Sequence, residues 1–162
     1  MQTTNVQVIG EVCELLNSGI SEVFSTMFSQ SVEAISPPDL RLTQEVLIAG
    51  SVGFVGEANG VVYVHLTESF AKSLASGMLQ MPENELDDEM VNDAVAEISN
   101  MIVGSVKSNL CDRGFPCVLT IPSIVRGRDF GAEASAGSER ASLGFQCGPG
   151  QLFVEVLARP PQ

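Results

Sequence analysis

The chain has 162 residues and a net charge of −12. Its length suits one folded domain over residues 1–162, and 44% hydrophobic against 17% charged residues rules against global disorder. So acidic a surface repels nucleic-acid backbones and anionic lipid headgroups, and favours a basic protein patch or a cation.

Ile9 to Phe28 reads as a first helix. Ile9, Val12, Cys13, Leu16, Ile20, Val23, Phe24 and Met27 keep helical spacing on one face. Met1 to Gln7 holds no Lys or Arg, and Glu11 interrupts the apolar stretch after it, which argues against a signal peptide. No apolar run approaches the roughly 18–20 residues that span a bilayer. Cys13, Cys111, Cys117 and Cys147 form no C-x-x-C pair and sit mostly among apolar neighbours. Free buried thiols and a cytoplasmic location are therefore expected.

Ser36-Pro37-Pro38-Asp39 breaks the chain, because proline fixes its φ and lacks a donor. Two strands come next, Glu45–Val55 and Gly60–Leu66. Glu57-Ala58-Asn59-Gly60 between them signals a hairpin, since Asn-Gly readily takes positive φ. Thr67 is predicted to N-cap a second helix from Glu68 to about Leu79, which Met81-Pro82 ends.

One long helical run is predicted from Glu83 to Leu110. Val91, Val95, Ile98, Ile102 and Val106 form its buried stripe. Asp93, Glu97, Asn100 and Gly104 succeed one another at four, three and four residues and stack on the opposite side. A carboxylate and an amide one turn apart are thus held out on a rigid element. The acids of the first turns, Glu83, Glu85, Asp87, Asp88 and Glu89, complement the positive end of the helix dipole.

Cys117 to Ile121 is a short strand stopped by Pro122, and Gly127 to Gly137 reads as a loop. Ala141–Cys147 and Gln151–Ala158 are two more strands, joined by Gly148-Pro149-Gly150. The whole is α+β: an antiparallel sheet of about five or six strands covered by long helices. Both halves run from a long helix into antiparallel strands, a faint internal repeat. Glu14-Leu15-Leu16-Asn17 on the first helix precedes Pro38, much as Asn100 precedes Pro122.

Asp93-x-x-x-Glu97-x-x-Asn100 with the distant Pro122 resembles the signature of the CheC/CheX/FliY family of chemotaxis phosphatases, and most closely its CheX members. The order of elements agrees over nearly the whole length. The resemblance implies an α/β sandwich with pseudo-symmetric halves and a CheC-like fold. It also implies a homodimer joined through sheet edges, and hydrolysis of the aspartyl phosphate on a CheY-type response regulator in chemotaxis or a related two-component circuit. Glu97 and Asn100 would be catalytic, with Asp93 and Gly104 at the docking surface. Glu14 and Asn17 are a candidate second pair; Gly10 stands where the family has Asp or Ser, and Asn17 falls near the margin of the apolar face.

The implied chemistry needs no cofactor of the chain's own, because the response regulator carries the acyl phosphate, Mg2+ and a lysine. An asparagine amide can donate to one oxygen and accept from another, so Asn100 can hold a water in line with the scissile P–O bond. Glu97 would pair with the regulator's lysine.

Other chemistries fit less well. His65, the only histidine, alternates with apolar residues in a strand and reads as structural, with no Ser-His-Asp or Cys-His set around it. No metal ligand set exists beyond scattered acids, and no phosphate-cradling loop is present. A non-catalytic module that docks a receiver domain or a flagellar-switch component stands as the alternative, and an oligomeric scaffold built on exposed sheet edges as a third reading.

Overall fold

The structure, a computed structural model, describes residues 5–131 and 137–159. Helix α1 (Asn5–Phe28) leads to strand β1 (Val32–Ile35) and a 3-10 turn at Leu40–Thr43. The hairpin β2 (Leu47–Gly56) and β3 (Gly60–Thr67) runs into α2 (Glu68–Leu79). After a 3-10 turn at Glu83–Glu85 comes α3 (Asp88–Asp112), then β4 (Cys117–Leu119), β5 (Ser123–Gly127), β6 (Glu139–Cys147) and β7 (Gly150–Ala158).

The predicted run from Glu83 is thus two elements. Leu86 is extended, and Asp87 starts the α-helix by accepting from the Met90 backbone N–H at 2.8 Å. A carboxylate that satisfies one of the orphan N–H groups fixes the start better than helical periodicity does. Thr67 caps α2 as expected, accepting from Phe70 N.

The fold class holds, with seven strands rather than five or six. The sheet order is β1-β6-β7-β3-β2-β4, with β5 also pairing β2, and every pairing is antiparallel. Local sequence patterning does not reveal strands β1 and β5. Both are short edge strands without an alternating apolar pattern, and long-range pairing rather than local preference holds them. The expected loop at 127–137 begins where β5 ends, and its residues 132–136 lie outside the described residues.

Two equivalent halves account for this order. Each contributes a long helix, an edge strand and a hairpin: α1, β1, β2–β3 and α3, β4/β5, β6–β7. The halves interlock, because β1 pairs with β6 and β4/β5 pair with β2. The faint repeat is therefore real in the topology. Pro122 does not end the edge but sits in a break within it. Three residues, 120 to 122, stand opposite Val52 and Gly53, a β-bulge. Thr120 bridges the break: its N–H donates to Gly53 O at 2.9 Å and its hydroxyl accepts from Gly53 N at 2.8 Å. A proline at an edge-strand bulge costs no ladder bond.

The β2–β3 hairpin closes differently from the expected Asn-Gly turn. Positive φ falls on Gly56, at 152°, where a side chain would strike Pro116 O. The Asn59 amide then ties the turn, accepting from Gly56 N at 3.1 Å and donating to Gly56 O at 2.8 Å.

α1 lies over β1, β6 and β7, and α3 over β2, β4 and β5. Phe24, Leu16, Ile20, Ile102, Ile48 and Phe145 are among the fully buried side chains between them, each contributing roughly 1.5–3 kcal/mol. Val91, Val95, Ile98, Ile102 and Val106 are buried as predicted. All four cysteines are free thiols. Among the described residues, no helix is long and apolar enough to cross a membrane.

The other sheet face holds a buried charge. Glu155 of β7 faces His65 of β3, with Oε1 2.9 Å from Nε2, and Arg140 Nη1 donates to Oε2 at 3.0 Å. The imidazole holds the Glu155 carboxyl below its ordinary range, against the opposing pull of burial, and Arg140 adds to it. A carboxyl depressed by folding stabilises the protein above the ordinary glutamate range, and that stability is lost as pH falls through the folded value. Melting temperature is therefore expected to drop more steeply for the wild type than for Glu155→Gln as pH falls from about 5 to about 3. Parallel curves would refute the assignment.

Candidate functional site

The site is built on α3. Its inward side, from Val91 to Leu110, packs on the sheet and on α1. The sheet approaches α3 closely at Gly50 of β2, where a Cβ would stand 2.1 Å from Ser99 Oγ. Ser99 is fully buried, and its hydroxyl donates to Val95 O at 2.8 Å. On α1, Gly19 faces α3 at ordinary contact distance: its Cβ position lies 3.5 Å from Ile102 O and from Ser105 Oγ. The missing side chain at Gly50 thus lets α3 sit close on β2.

That stripe stands as the spacing predicted. Asp93, Glu97 and Asn100 are exposed and Gly104 is half-exposed. Among the described residues none makes a hydrogen bond or ion pair to the side chains of Asp93, Glu97 or Asn100. The space above Gly104 is open, with nothing within 4 Å of its Cβ position. An amide and a carboxylate are therefore presented side by side with their hydrogen-bonding capacity unspent. Glu89 extends the same stripe toward the N-terminus and is also exposed.

The corresponding residues of α1 are engaged. Glu14 pairs with Arg113 Nη2 at 3.3 Å, and Asn17 donates from Nδ2 to Cys13 O at 3.0 Å. Asn17 is exposed rather than marginal, because the buried side of α1 runs through Val12, Leu15, Leu16, Gly19, Ile20 and Val23. Gly10 is exposed, with open space at its Cβ position.

Two arginines without a sequence signal hold α3 at either end. Arg113, its C-cap, pairs with Glu11 and Glu14 of α1. Arg126, on the helix-facing side of β5, donates from Nε to Asn92 Oδ1 at 3.0 Å, pairs with Glu68 of α2, and lies 3.8 Å from Asp88. A lone arginine in a strand that local patterning does not reveal cannot be singled out from one sequence.

Comparison with known proteins agrees with this architecture. The family model described as chemotaxis phosphatase CheX matches residues 48–146. No curated protein matches the chain. The chain is similar to the crystal structure of the chemotaxis protein CheX from Vibrio vulnificus, at 23% identity and a TM-score of 0.77, covering 91% of this chain and 96% of that one. It is similar to a chemotaxis protein CheX from Desulfovibrio desulfuricans, at 23% identity and a TM-score of 0.76 over 92% and 99% of the two chains. The CheX-CheY-BeF3-Mg+2 complex from Borrelia burgdorferi matches at 22% identity with a TM-score of 0.69, over 90% and 96%. At these identities the likeness is one of fold.

Proposed function

The chain belongs to the CheX family of chemotaxis phosphatases, and from that premise we propose that it hydrolyses the aspartyl phosphate of a CheY-type response regulator. The observation that carries the reading is the outward pair Glu97 and Asn100, exposed and free of partners among the described residues. Little covalent chemistry is asked of a protein in phosphoryl transfer; positioning and electrostatics supply most of the effect. The Asn100 amide enters beside the phosphate and orients a water in line with the scissile bond. Water attacks phosphorus, the P–O bond to the aspartyl carboxylate breaks, and inorganic phosphate departs. Glu97 pairs with the regulator's lysine and sets the register of docking. Asp93 extends the docking surface, and Gly104 lets the partner approach closely. The Mg2+ that screens the phosphate belongs to the regulator. We place the reaction on α3 rather than α1, because Glu14 and Asn17 already spend their groups on Arg113 and Cys13.

The test is the loss of phosphate from a receiver domain labelled with acetyl phosphate. Wild-type protein should accelerate it. A decay curve that coincides with that of the receiver alone would leave only the docking module.

The same reading includes a homodimer and a cytoplasmic location, where receiver domains work. The β4–β5 edge supports the dimer: among the described residues it is the unpaired side of the sheet there, and Val118, Ile121 and Val125 are exposed along it, with exposed Val55 of β2 beside Val118. An apolar edge of this kind is a template for a second strand. Mass in solution should be twice the monomer's, and Val118→Lys with Ile121→Lys should halve it. A monomeric mass for the wild type at every accessible concentration would refute the dimer.

A further inference from the structure

The buried charge cluster on the sheet face away from the helices is not explained by packing. His65 and Glu155 have side chains only 6% exposed. Exchanging such a pair for apolar residues of similar volume is often neutral or stabilising, so stability alone gives no reason for it. His65 Nε2 stands 2.9 Å from Glu155 Oε1, yet off the line of an aligned hydrogen bond. The pair lines a cavity of about 400 Å3, within the range of roughly 300–1,000 Å3 typical of small-molecule sites. Phe130 and Phe153 flank the imidazole, with ring centroids 6.0 and 5.2 Å away, and line the same cavity. Arg41 and Arg140, two of only eight Lys and Arg residues in this acidic chain, complete it.

We propose that this cavity binds a small planar organic anion, an aromatic ring bearing a carboxylate or a phosphate. The ring lies against Phe130 and Phe153, where offset or edge-on stacking is favourable. The charged end meets the guanidinium groups of Arg41 and Arg140, whose planar forks suit carboxylate and phosphate geometry. Asp39, with Asp129 farther off, pairs with Arg41, and Glu155 pairs with Arg140, so a bound anion competes with these carboxylates for the guanidinium groups. Tyr63 flanks His65, at 6.2 Å between centroids, but does not line the cavity. The proposal is independent of the phosphatase reading, since Asn100 lies on the helical side.

His65 is the chain's only histidine, so its ring resonances in NMR are an unambiguous reporter. Full-length protein is titrated with benzoate and with adenosine monophosphate, and separately with benzyl alcohol and inorganic phosphate. A saturable shift of the His65 signals by benzoate, adenosine monophosphate or both is expected, and the pattern tells carboxylate from phosphate. The shift should be absent with the other two compounds. Arg41→Gln should weaken it at least tenfold; that side chain is 60% exposed, so the fold is kept. No saturable shift by either aromatic anion in the millimolar range would overturn the proposal. So would equal binding by Arg41→Gln, or an equal shift with benzyl alcohol or inorganic phosphate.

Discussion

Replacing Asn100 with alanine is expected to slow hydrolysis of a phosphorylated receiver domain by about 100-fold or more, with no loss of thermal stability. The magnitude reflects the task the amide performs. Holding water in line converts a loose encounter into an aligned one, and misplacement by about 1 Å can cost about 100-fold. Stability is spared because the side chain is exposed and no described residue bonds to it. Alanine is also the better helix former, by some tenths of a kcal/mol. The loss should appear in kcat, with affinity for the receiver little changed, because the amide acts in the transition state. Glu97→Ala should behave differently, raising KM and lowering kcat together. Single-turnover phosphate release, with receiver affinity measured in parallel, separates the two. An Asn100→Ala curve that overlays the wild type would remove the amide from the mechanism.

The largest effect on the fold is expected from Gly50→Val, a loss of about 3 kcal/mol with impaired turnover as its consequence. A Cβ at Gly50 would stand 2.1 Å from Ser99 Oγ, 3.0 Å from Ser99 Cβ and 3.4 Å from Val95 Cγ1. The hydroxyl can rotate away only by giving up its bond to Val95 O, and the Ser99 Cβ cannot move without the helix. Valine's methyl groups add to the overlap. The seat of α3 on β2 must then open, next to the residue that carries the amide. Denaturant unfolding measures the stability loss. Wild-type stability with wild-type turnover would show that the close approach at Gly50 does not position the site.

Much of the site is legible in the sequence because helical periodicity is a local property. The order of apolar residues along α3 determines its buried face, and Asp93, Glu97, Asn100 and Gly104 have to lie opposite. Thr67 as a cap and the turn at Gly148-Pro149-Gly150 are equally local, and both stand where expected. Periodicity misplaces the start of α3, since acids at Glu83 and Glu85 suit a helix N-terminus as well as Asp88 and Glu89 do. Only the actual hydrogen bond from Met90 N to Asp87 decides between them.

The amino-acid order by itself therefore determined the chemistry displayed on α3, together with the α+β class and the repeat of helix and hairpin. Tertiary structure alone decided the rest. The short strands β1 and β5 exist because each half lends an edge to the other half's hairpin. Glu14 on α1 is engaged, unlike Glu97 on α3, through Arg113, nearly a hundred positions away. His65, Glu155 and Arg140 meet only across three paired strands. In each case the stabilising contact joins residues far apart along the chain, and no local pattern of apolar and polar residues records which distant group will arrive.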